Sequence, residues 1–447
     1  MTIGSVCIPV TISSDAAGMG CLMVNAVANG RWAAKLTAGV PVLALTLLGS
    51  ASPLLAEDVR GQGVAERQYE AYTPLGVRAG GFVLRPSLAV SETYDSNVFA
   101  TNTGEVDDFV TEINPNVVAE SEWSRHAVRL EANVAQRLYA SESGEDTTDW
   151  TLGANGRIDV LDDTVIRVGF LYGSLSEDRG APEAIGAAAE PTTYEQRTAS
   201  ASLTQRFNRL SGEVGATYTE LDFDDTPLIG GGVDDNDDRD RSVLEIAVEA
   251  GYELVADTVV FLRGTYNVRD YEQEVPVAAV DRDSDGYELV AGASFELGSL
   301  ATGEVFAGYQ EQSFEDPSFA AVTGLAYGAS VDWYATPLTT VRFRADTSIE
   351  DTTSGGASAF ERQRVGVGLD HEFLRNLIAS LDLEFAQEDF SGSTRKDEIY
   401  DVTFGVDYLI DRVFSIGFFV GHEERDSTVS GESFSRDTAG IRVRSEL

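Results

Sequence analysis

Apolar and polar residues alternate in short runs from about residue 80 to the end of the chain. This alternation has the two-residue period of a β-strand and not the 3.6-residue period of a helix. Eighteen such runs follow one another, spaced about every 20 residues. Clear examples lie at residues 82–90, 128–134, 166–172 and 414–420. The pattern predicts an all-β chain of about 18 strands.

The connections between the runs alternate between two lengths. Eight are short and polar, such as Leu161-Asp162-Asp163-Thr164, and nine are longer. Eight turns and nine loops join 18 strands and leave both ends of the wall on the short-turn side. This is typical of a transmembrane antiparallel up-and-down β-barrel with short periplasmic turns and long external loops. The long connections are acidic and lie near residues 94–108, 141–148, 175–195, 220–240, 269–285, 313–323, 350–361, 387–397 and 423–434.

The two faces of the runs differ in charge. About 88 positions share the apolar parity and none is charged, although a charged content of 24% predicts about 21 charged residues there. A soluble sandwich turns its polar face to water, whereas an outer-membrane barrel turns its polar face to the lumen. The charge-free face therefore predicts contact with lipid. Aromatic residues near run ends, including Tyr94, Tyr139, Tyr271 and Tyr334, fit interfacial girdles, although β-propensity also favours them.

The first 56 residues differ from the rest of the chain. Arg31 and Lys35 precede an apolar stretch at residues 36–48, and small residues then lead to Ala56. A positive region, a short apolar core and a small-residue exit together predict a secretory signal peptide cleaved after Ala56. Its long first part suggests that translation starts at Met19 or Met23.

The predicted order of segments is a signal peptide at residues 1–56, a short periplasmic N-terminal segment at residues 57–79 and the barrel at residues 80–447. Both cysteines, Cys7 and Cys21, lie in the signal peptide. The mature chain would therefore contain no disulfide, and a large core or a closed ladder must hold it together. No later stretch reaches the roughly 18 consecutive apolar residues of a transmembrane helix.

Charge and composition restrict the partners. The chain has 74 acidic and 32 basic residues and a formal net charge of −42. Nucleic acid is excluded as a partner, because phosphate binding needs a basic surface. The 16 tyrosines and 21 phenylalanines also argue against a disordered acidic chain. Outer-membrane lipid is the expected surrounding, and the alternating last strand, which runs to Leu447, is the expected signal for the barrel-assembly machinery.

Short motifs along residues 70–447 resemble a known family. Residues 72–82 read Tyr-Thr-Pro-Leu-Gly-Val-Arg-Ala-Gly-Gly-Phe, and Pro86 and Tyr94-Asp95-Ser96-Asn97-Val98-Phe99 follow. In their order these motifs resemble the family named "putative beta-barrel porin 2", whose members are outer-membrane barrels, many linked to exopolysaccharide production. The resemblance implies a location in the outer membrane of a Gram-negative bacterium, with polysaccharide and its export machinery as partners. The matching loop residues include Glu177, Asp178, Arg179, Pro182, Asp238, Arg239 and Arg282.

Charged residues of the inward parity are the candidate lining of the lumen. Opposed charges at a constriction set a field that solutes cross, and the same residues could instead form salt bridges that stiffen the wall. Inward glycines leave space for water or for a plug. The loops at residues 175–195 and 220–240 are the best candidates to fold inward. The candidate lumen-lining residues are Arg129, Glu131, Arg157, Asp159, Arg167, Glu245, Arg263, Arg342, Arg344, Arg364, Asp370, Arg442 and Arg444.

Evidence for a metal site is weak. Asp281-x-Asp283-x-Asp285-Gly286 copies the first half of a calcium loop, in which oxygen ligands alternate and glycine makes the sharp turn. Position twelve should be a bidentate Glu and is Gly292. Solvated acidic loop tips are the preferred interpretation, so no metal site and no cofactor are predicted.

Evidence for catalysis is weak as well. His422 with Ser427 or Ser430 could form a barrel-embedded hydrolase, but nothing establishes that these residues face one another. The chain contains no phosphate-binding loop, zinc spacing or dinucleotide fingerprint. No catalytic residue is therefore predicted, and an enzyme is not expected.

The leading hypothesis is an outer-membrane porin-like channel that takes part in exopolysaccharide export or passes hydrophilic solutes through a charged lumen. One alternative is a non-conducting barrel whose acidic loops bind matrix polysaccharide or a partner. Others are a general diffusion porin unrelated to polysaccharide and a soluble secreted adhesin. Heat-modifiable migration separates a barrel from an adhesin, and single-channel conductance separates a channel from an anchor.

Overall fold

A computed structural model describes residues 61–272 and 281–447. The predicted signal peptide at residues 1–56, with its cleavage site and possible later starts, lies outside the described residues. Within the described part of the chain, no helix has the length and apolar character needed to cross a membrane.

The described residues form 21 strands, of which 18 build one wall and three are short additions. The short strands are β1 (Val77–Ala79), which pairs with the start of β2, and the pair β9 (Thr226–Pro227) and β10 (Val233–Asp234). The wall strands are β2 (Phe82–Asp95), β3 (Asp108–Ser121), β4 (Ala127–Tyr139), β5 (Thr147–Leu161), β6 (Thr164–Ser176), β7 (Thr193–Phe207), β8 (Leu210–Phe223), β11 (Arg241–Val255), β12 (Thr258–Tyr271), β13 (Ser284–Glu296), β14 (Ala301–Phe314), β15 (Val322–Thr336), β16 (Thr339–Asp351), β17 (Ala359–Leu374), β18 (Leu377–Ser391), β19 (Lys396–Leu409), β20 (Phe414–Ser427) and β21 (Phe434–Glu446).

Each wall strand pairs antiparallel with the next, and β2 pairs with β21 to close the wall. The closing ladder runs from Ser87 opposite Glu446 to Asp95 opposite Thr438. Closure satisfies both edges of the sheet. The predicted fold class, an all-β antiparallel up-and-down barrel of 18 strands, is confirmed. The helical residues described are four single 3-10 turns, at Val64–Glu66, Ser143–Glu145, Asp237–Arg239 and Ser354–Gly356.

The connections form two sets at opposite ends of the wall, as predicted, but their lengths overlap, because the loop at residues 392–395 has four residues and the turn at residues 122–126 has five. Eight turns of two to five residues lie at one end of the wall, which we call the turn end, together with the start of β2 and the end of β21. The other end, which we call the loop end, carries nine loops. These loops are residues 96–107, 140–146, 177–192, 224–240, 272–283, 315–321, 352–358, 392–395 and 428–433.

The strands present one apolar and one polar face. In β11, Leu244, Ile246 and Val248 are exposed on the outside, whereas Glu245 and Glu249 are buried inside. At the loop end the strands extend past the charge-free belt, and charged residues appear on the outer face. Examples are Glu92, Arg197, Glu220, Glu311 and Glu424.

The prediction of girdle positions was wrong for three aromatic residues. Tyr139, Tyr271 and Tyr334 have the inward parity of their strands, because they stand in register with inward neighbours such as Val110 and Arg241. Tyr94 lies on the outer face, where its ring contacts Phe109.

The upper part of β16 leaves the wall. Its ladder with β15 ends at Gly328 opposite Asp346, although β15 begins at Val322 and β16 continues to Asp351. All five residues of 347–351 are buried, whereas a wall strand alternates. Both faces of this segment are therefore covered, and the segment lies inside the barrel.

The N-terminal segment, residues 61–72, also enters the barrel, at the turn end. The Val64 backbone N–H donates to Thr340 Oγ1 at 2.9 Å, and the side chains of Arg67 and Tyr69 both bond Glu372 of β17. Val64 and Arg67 are buried. These contacts hold the segment against the inner faces of β16 and β17.

Candidate functional site

All 13 candidate lumen-lining residues have the inward parity of their strands. Most of them pair with a charged neighbour on the same or the next strand. Arg157 bonds Asp159 at 2.8 Å, and Arg129 bonds Glu131 at 3.0 Å. Their part in conduction stays a prediction. The structure shows that their side chains point into the barrel and that most of them cross-link the wall.

The half of the lumen next to the turns is open to solvent. Arg342 bonds Asp370 and Asp382 there, at 3.0 and 2.9 Å, and its side chain is 32% exposed. Arg344 bonds Asp332 at 2.7 Å and is 35% exposed. Because these side chains point inward, their exposed surface faces open space inside the barrel.

Arg263 is the exception in this half, because it is fully buried. Its guanidinium donates to Glu249 and to Glu304, each at 2.9 Å, and lies between the rings of Phe261 and Phe306. Both carboxylates and both rings come from the wall strands β11, β12 and β14. Arg263 therefore stabilises the wall and does not line open space.

Inward glycines make room for these neighbouring side chains. A Cβ atom built on Gly328 would lie 2.3 Å from the ring of Phe306, and one on Gly292 would lie 2.6 Å from Phe306 Cβ. A Cβ on Gly368 would lie 2.8 Å from the Arg342 guanidinium. At these three positions the space is occupied by side chains, and neither water nor a plug is needed to fill it.

The half of the lumen next to the loops is closed. Arg241 and Arg362 bond carboxylates there, and their side chains are 0% and 5% exposed, against 32% for Arg342 in the open half. Burial of so many ion pairs is costly unless their hydrogen bonds are satisfied. The pairs of this region are Arg241 and Arg269 with Asp351, Arg362 with Glu350 and Glu388, Arg395 with Asp397, and Arg436 with Glu423.

Two loops cover these pairs and meet across the lumen. We call them the plug: residues 177–192, between β6 and β7, and residues 352–358, between β16 and β17. The two loops start eight wall strands apart in an 18-strand barrel and therefore on nearly opposite sides.

Glu183 joins the two halves of the plug. Its carboxylate accepts hydrogen bonds from the hydroxyl groups of Thr352 and Thr353, the latter at 2.7 Å. It also accepts bonds from the backbone N–H groups of Thr353 and Ser354, at 3.1 and 3.3 Å. A carboxylate with four donors is fully satisfied, so this buried contact is a specific latch.

The family-motif residues converge on the plug, although they are far apart in the sequence. Glu177 and Arg239 form a buried pair at 2.6 Å. Burial raises the pKa of Glu177, while Arg239 acts in the opposite direction. The Arg179 guanidinium donates one hydrogen bond to each carboxylate oxygen of Glu145, at 2.8 and 2.5 Å.

The remaining motif residues complete the same network. Asp178 lies 3.4 Å from Arg436, and the Pro182 carbonyl accepts a bond from Arg395 at 3.2 Å. Arg282 donates to the carbonyls of Thr352 and Ala357. Burial raises the pKa of Asp238, and Arg282 opposes the shift. Sequence reasoning named these residues but missed Glu183 and Thr352, because a single acid and a hydroxyl in polar loops carry no signal.

The acidic loops bring together two groups of carboxylates. Asp281 and Asp283 lie beside Glu315 of the next loop, with oxygens within 4.8 Å of one another. Asp285, the third acid of the calcium-like motif, lies on the outer face of β13, where it bonds Tyr266. The motif therefore does not fold as one calcium loop, since β13 begins at Ser284. The other group is Asp225, Asp235 and Asp237.

The structure separates the candidate hydrolase pair. His422 lies on the outer face of β20, where its Nδ1 atom is 2.7 Å from Asp437 Oδ1. Ser427 has the inward parity and donates to Asp397 at 2.5 Å. The two side chains leave opposite faces of the same strand and cannot act together.

Comparison with known proteins gives one family. The family model described as "Putative beta-barrel porin 2" matches residues 70–447. No curated protein matches. Among solved structures, the chain is similar to the siderophore receptor PirA from Acinetobacter baumannii (7% identity, 81% of this chain and 80% of that chain, TM-score 0.42). It is also similar to OccK2 (OpdF) of Pseudomonas aeruginosa (9%, 82% and 97%, 0.44) and to the outer membrane protein opdK of Pseudomonas aeruginosa (11%, 81% and 99%, 0.40).

Proposed function

The chain belongs to the family described as "Putative beta-barrel porin 2", and from this premise we propose that it is a gated outer-membrane channel for hydrophilic solutes. The observation that carries the proposal is the difference between the two halves of the lumen. One half is an open charged chamber, and the other is filled by loops that hydrogen bonds and ion pairs hold in place. Loops of this kind can move without opening the wall.

The chemistry of the chamber favours solutes that are polar but carry little net charge. Arg342 and Arg344 are paired with three aspartates, Asp332, Asp370 and Asp382, so most of the charge is neutralised and the excess is one negative charge. Paired charges still offer donors and acceptors for hydroxyl groups. A neutral polysaccharide fits this lining, and exopolysaccharide is the cargo that the family resemblance implies.

The proposal includes the route to the membrane. The signal peptide at residues 1–56 directs the chain out of the cytoplasm of a Gram-negative bacterium, and the assembly machinery recognises β21. Residues 61–72 enter the lumen from the periplasmic side, in place of the free periplasmic segment that the sequence predicts, and the outer belt contacts lipid. The loop end then faces the exterior, as long loops do in barrels of this class.

Single-channel recording in planar bilayers tests gating. Glu183→Ala removes the acceptor of four hydrogen bonds at the latch, so the variant should spend more time open than the wild type. The matched control is Glu195→Ala, because Glu195 pairs with Arg197 on the outer face. A barrel that stays sealed even when residues 179–190 are deleted would contradict a channel.

A secretion assay tests the cargo. Cells that lack the protein receive either the wild type or the variant Glu183→Cys with Thr353→Cys, whose plug is closed by a short bis-methanethiosulfonate reagent that forms a disulfide with each cysteine and releases methanesulfinate. Export through the lumen predicts that the closed variant restores no exopolysaccharide secretion until a reductant cleaves the link. Equal secretion with an open and a closed plug would leave the barrel as an anchor or a general porin.

A further inference from the structure

The wall has a seam at its loop end, between residues 322–327 of β15 and 347–351 of β16, where no ladder joins the two strands. A side chain replaces the missing backbone bonds. Thr347 Oγ1 accepts from the Tyr327 N–H at 3.1 Å and donates to the Leu325 carbonyl at 3.0 Å. One hydroxyl group holds less strongly than a run of backbone bonds, so this is the weakest joint of the wall.

The seam is closed because β15 overlaps the displaced part of β16. Ile349 of β16 packs on the inner sides of Phe314 and Val322, together with Ala359. A Cβ atom on Gly324 would lie 3.2 Å from Glu361 Oε2, so β15 and β17 approach each other outside the displaced strand. The two layers can slide apart without breaking a backbone ladder.

The outer side of the seam lies at the level of the loop-end aromatic residues. Leu325, which is 72% exposed, stands opposite Tyr309 in the register, and Thr323 stands opposite Glu311. The Tyr309 and Tyr287 hydroxyl groups both donate to Glu311. Tyrosines of this kind mark the boundary between hydrocarbon and headgroups. The seam therefore opens toward the headgroup layer of the outer leaflet.

A polar cavity lies inside the barrel beside the displaced strand, where residues 347–349 of β16 form one of its walls. Thr265, Asn267, Gln310 and Gln312 of β12 and β14 line it, with Ser348 of the displaced strand. The Asn267 Oδ1 atom is buried and accepts no hydrogen bond within the described residues. Amide and hydroxyl groups around an unused acceptor suit a ligand that carries several hydroxyl groups.

Charge narrows the ligand class. The inward-facing Glu245 and Glu288 also line the cavity, whereas its arginine, Arg269, is already bound to Asp351. Carboxylates repel a phosphate headgroup, because like charges disfavour each other in a low-dielectric site. A neutral, hydroxyl-rich headgroup meets no such repulsion.

We propose that the seam between β15 and β16 is a lateral portal through which the neutral, hydroxyl-rich headgroup of an amphiphile in the outer leaflet enters the polar cavity. The inference requires that the barrel lies in the membrane, as the proposed function states, but not that the lumen conducts. A portal can therefore exist in a barrel that fails every conductance test.

Labelling from the bilayer tests the portal. In a chain with Cys7 and Cys21 replaced by serine, Ser348→Cys should react with octadecyl maleimide several-fold faster than Ser330→Cys. Ser330 also faces inward, but intact ladders flank it on both sides. Dodecyl maltoside should slow the reaction at position 348, and dodecyl phosphocholine should not. Equal rates at both positions, or equal effects of both detergents, would overturn the proposal.

Cross-linking the two sides of the seam gives a second test of the portal. Gly324→Cys with Glu361→Cys, joined by a short bifunctional thiol reagent, should reduce the dodecyl maltoside retained in native mass spectra several-fold. The control pair is Val305→Cys with Ala329→Cys, which stand opposite each other on an intact ladder. Heat-modifiable migration verifies that each variant is folded. Equal retention by the tied and control barrels would show that the headgroup does not enter at the seam.

Discussion

Arg263 shows how a single side chain can support the wall. It is the one cation between Glu249 and Glu304, and all three are buried among Phe261 and Phe306. Arg263→Met leaves two carboxylates without their partner in a site that water does not reach. We expect the free energy of unfolding to fall by about 3–5 kcal/mol, measured by urea titration in lipid micelles.

The exposed Arg197 is the matched comparison for Arg263. It also bonds two carboxylates, Glu195 and Glu220, but its side chain is 44% exposed on the outer face. Arg197→Met should cost about 1 kcal/mol or less. Adding Glu249→Gln and Glu304→Gln to Arg263→Met should recover part of the loss, and equal losses at positions 197 and 263 would refute the argument from burial.

Asp240 makes the stability of the loop end depend on pH. Burial raises the pKa of its carboxyl to about 6, with Asp222 and Asp237 acting in the same direction and the hydrogen bond from the Phe223 N–H opposing. The pKa of Asp240 is higher in the folded protein than its ordinary value of 3.8, so its protonation stabilises the fold. This stabilisation is complete below pH 3.8 and is lost as the pH rises through about 6. The Phe223 amide should therefore be better protected from hydrogen exchange at pH 5 than at pH 7.5, after correction for the chemical rate.

The control for Asp240 is Asp240→Asn, which keeps a carbonyl oxygen for the Phe223 N–H but cannot ionise. Its protection should vary less with pH than that of the wild type. A variant with the same pH dependence as the wild type would assign the effect to another acid of the loop.

At the residue scale, sequence predicts orientation but not partners. The two-residue period gives the inward parity of Arg342 and Asp370, because it depends on neighbours along one strand. The contact of Glu183 with Thr352 joins two loops across the lumen, and no local pattern determines it. The motif residues mark where such contacts occur, without saying which loops meet.

At the scale of elements, the alternating pattern predicts the strands and the two sets of connections. It does not predict that residues 347–351 leave the wall. Thr347 and Ile349 continue the alternation of β16, and their displacement depends on distant groups such as Arg269, which bonds Asp351 and the Ile349 carbonyl. A strand that changes its surroundings half-way keeps the same sequence pattern.

The N-terminal segment is an element that alternation does not reveal, and Glu372 is its main attachment. Glu372 Oε2 accepts from Arg67 at 3.0 Å and from the Tyr69 hydroxyl at 2.6 Å. Glu372→Leu leaves Arg67 a buried charge without its partner, a state that the segment can escape by leaving the lumen. We expect protease added at the turn end to cleave within residues 61–72 while the barrel stays folded.

Glu70→Leu is the control for the N-terminal segment, because the Glu70 side chain is 93% exposed and lies 3.8 Å from Arg412. This variant should resist the protease as the wild type does. Continued protection of the segment in Glu372→Leu would mean that Val64 and its contact with Thr340 suffice to hold it.

For the whole molecule, closure of the wall predicts heat-modifiable migration. Every wall strand pairs with two neighbours along most of its length, so no strand is left free on one side as a starting point for unfolding by detergent. Unheated protein should migrate as a compact band, and boiled protein more slowly, at the mass of its mature chain. Deletion of residues 434–447, which form β21, should abolish the compact band. A single band under both conditions would argue against the closed barrel.

The ladder between β2 and β21 also determines the order in which the chain folds. It joins Ser87 to Glu446, so its partners are separated by almost the whole barrel sequence. Contacts between distant residues form slowly, because the chain must first lose the entropy of a large loop. Until that ladder forms, β2 and β21 both present unpaired backbone groups that hydrocarbon cannot satisfy. Aggregation therefore competes with folding until the last strand pairs with the first.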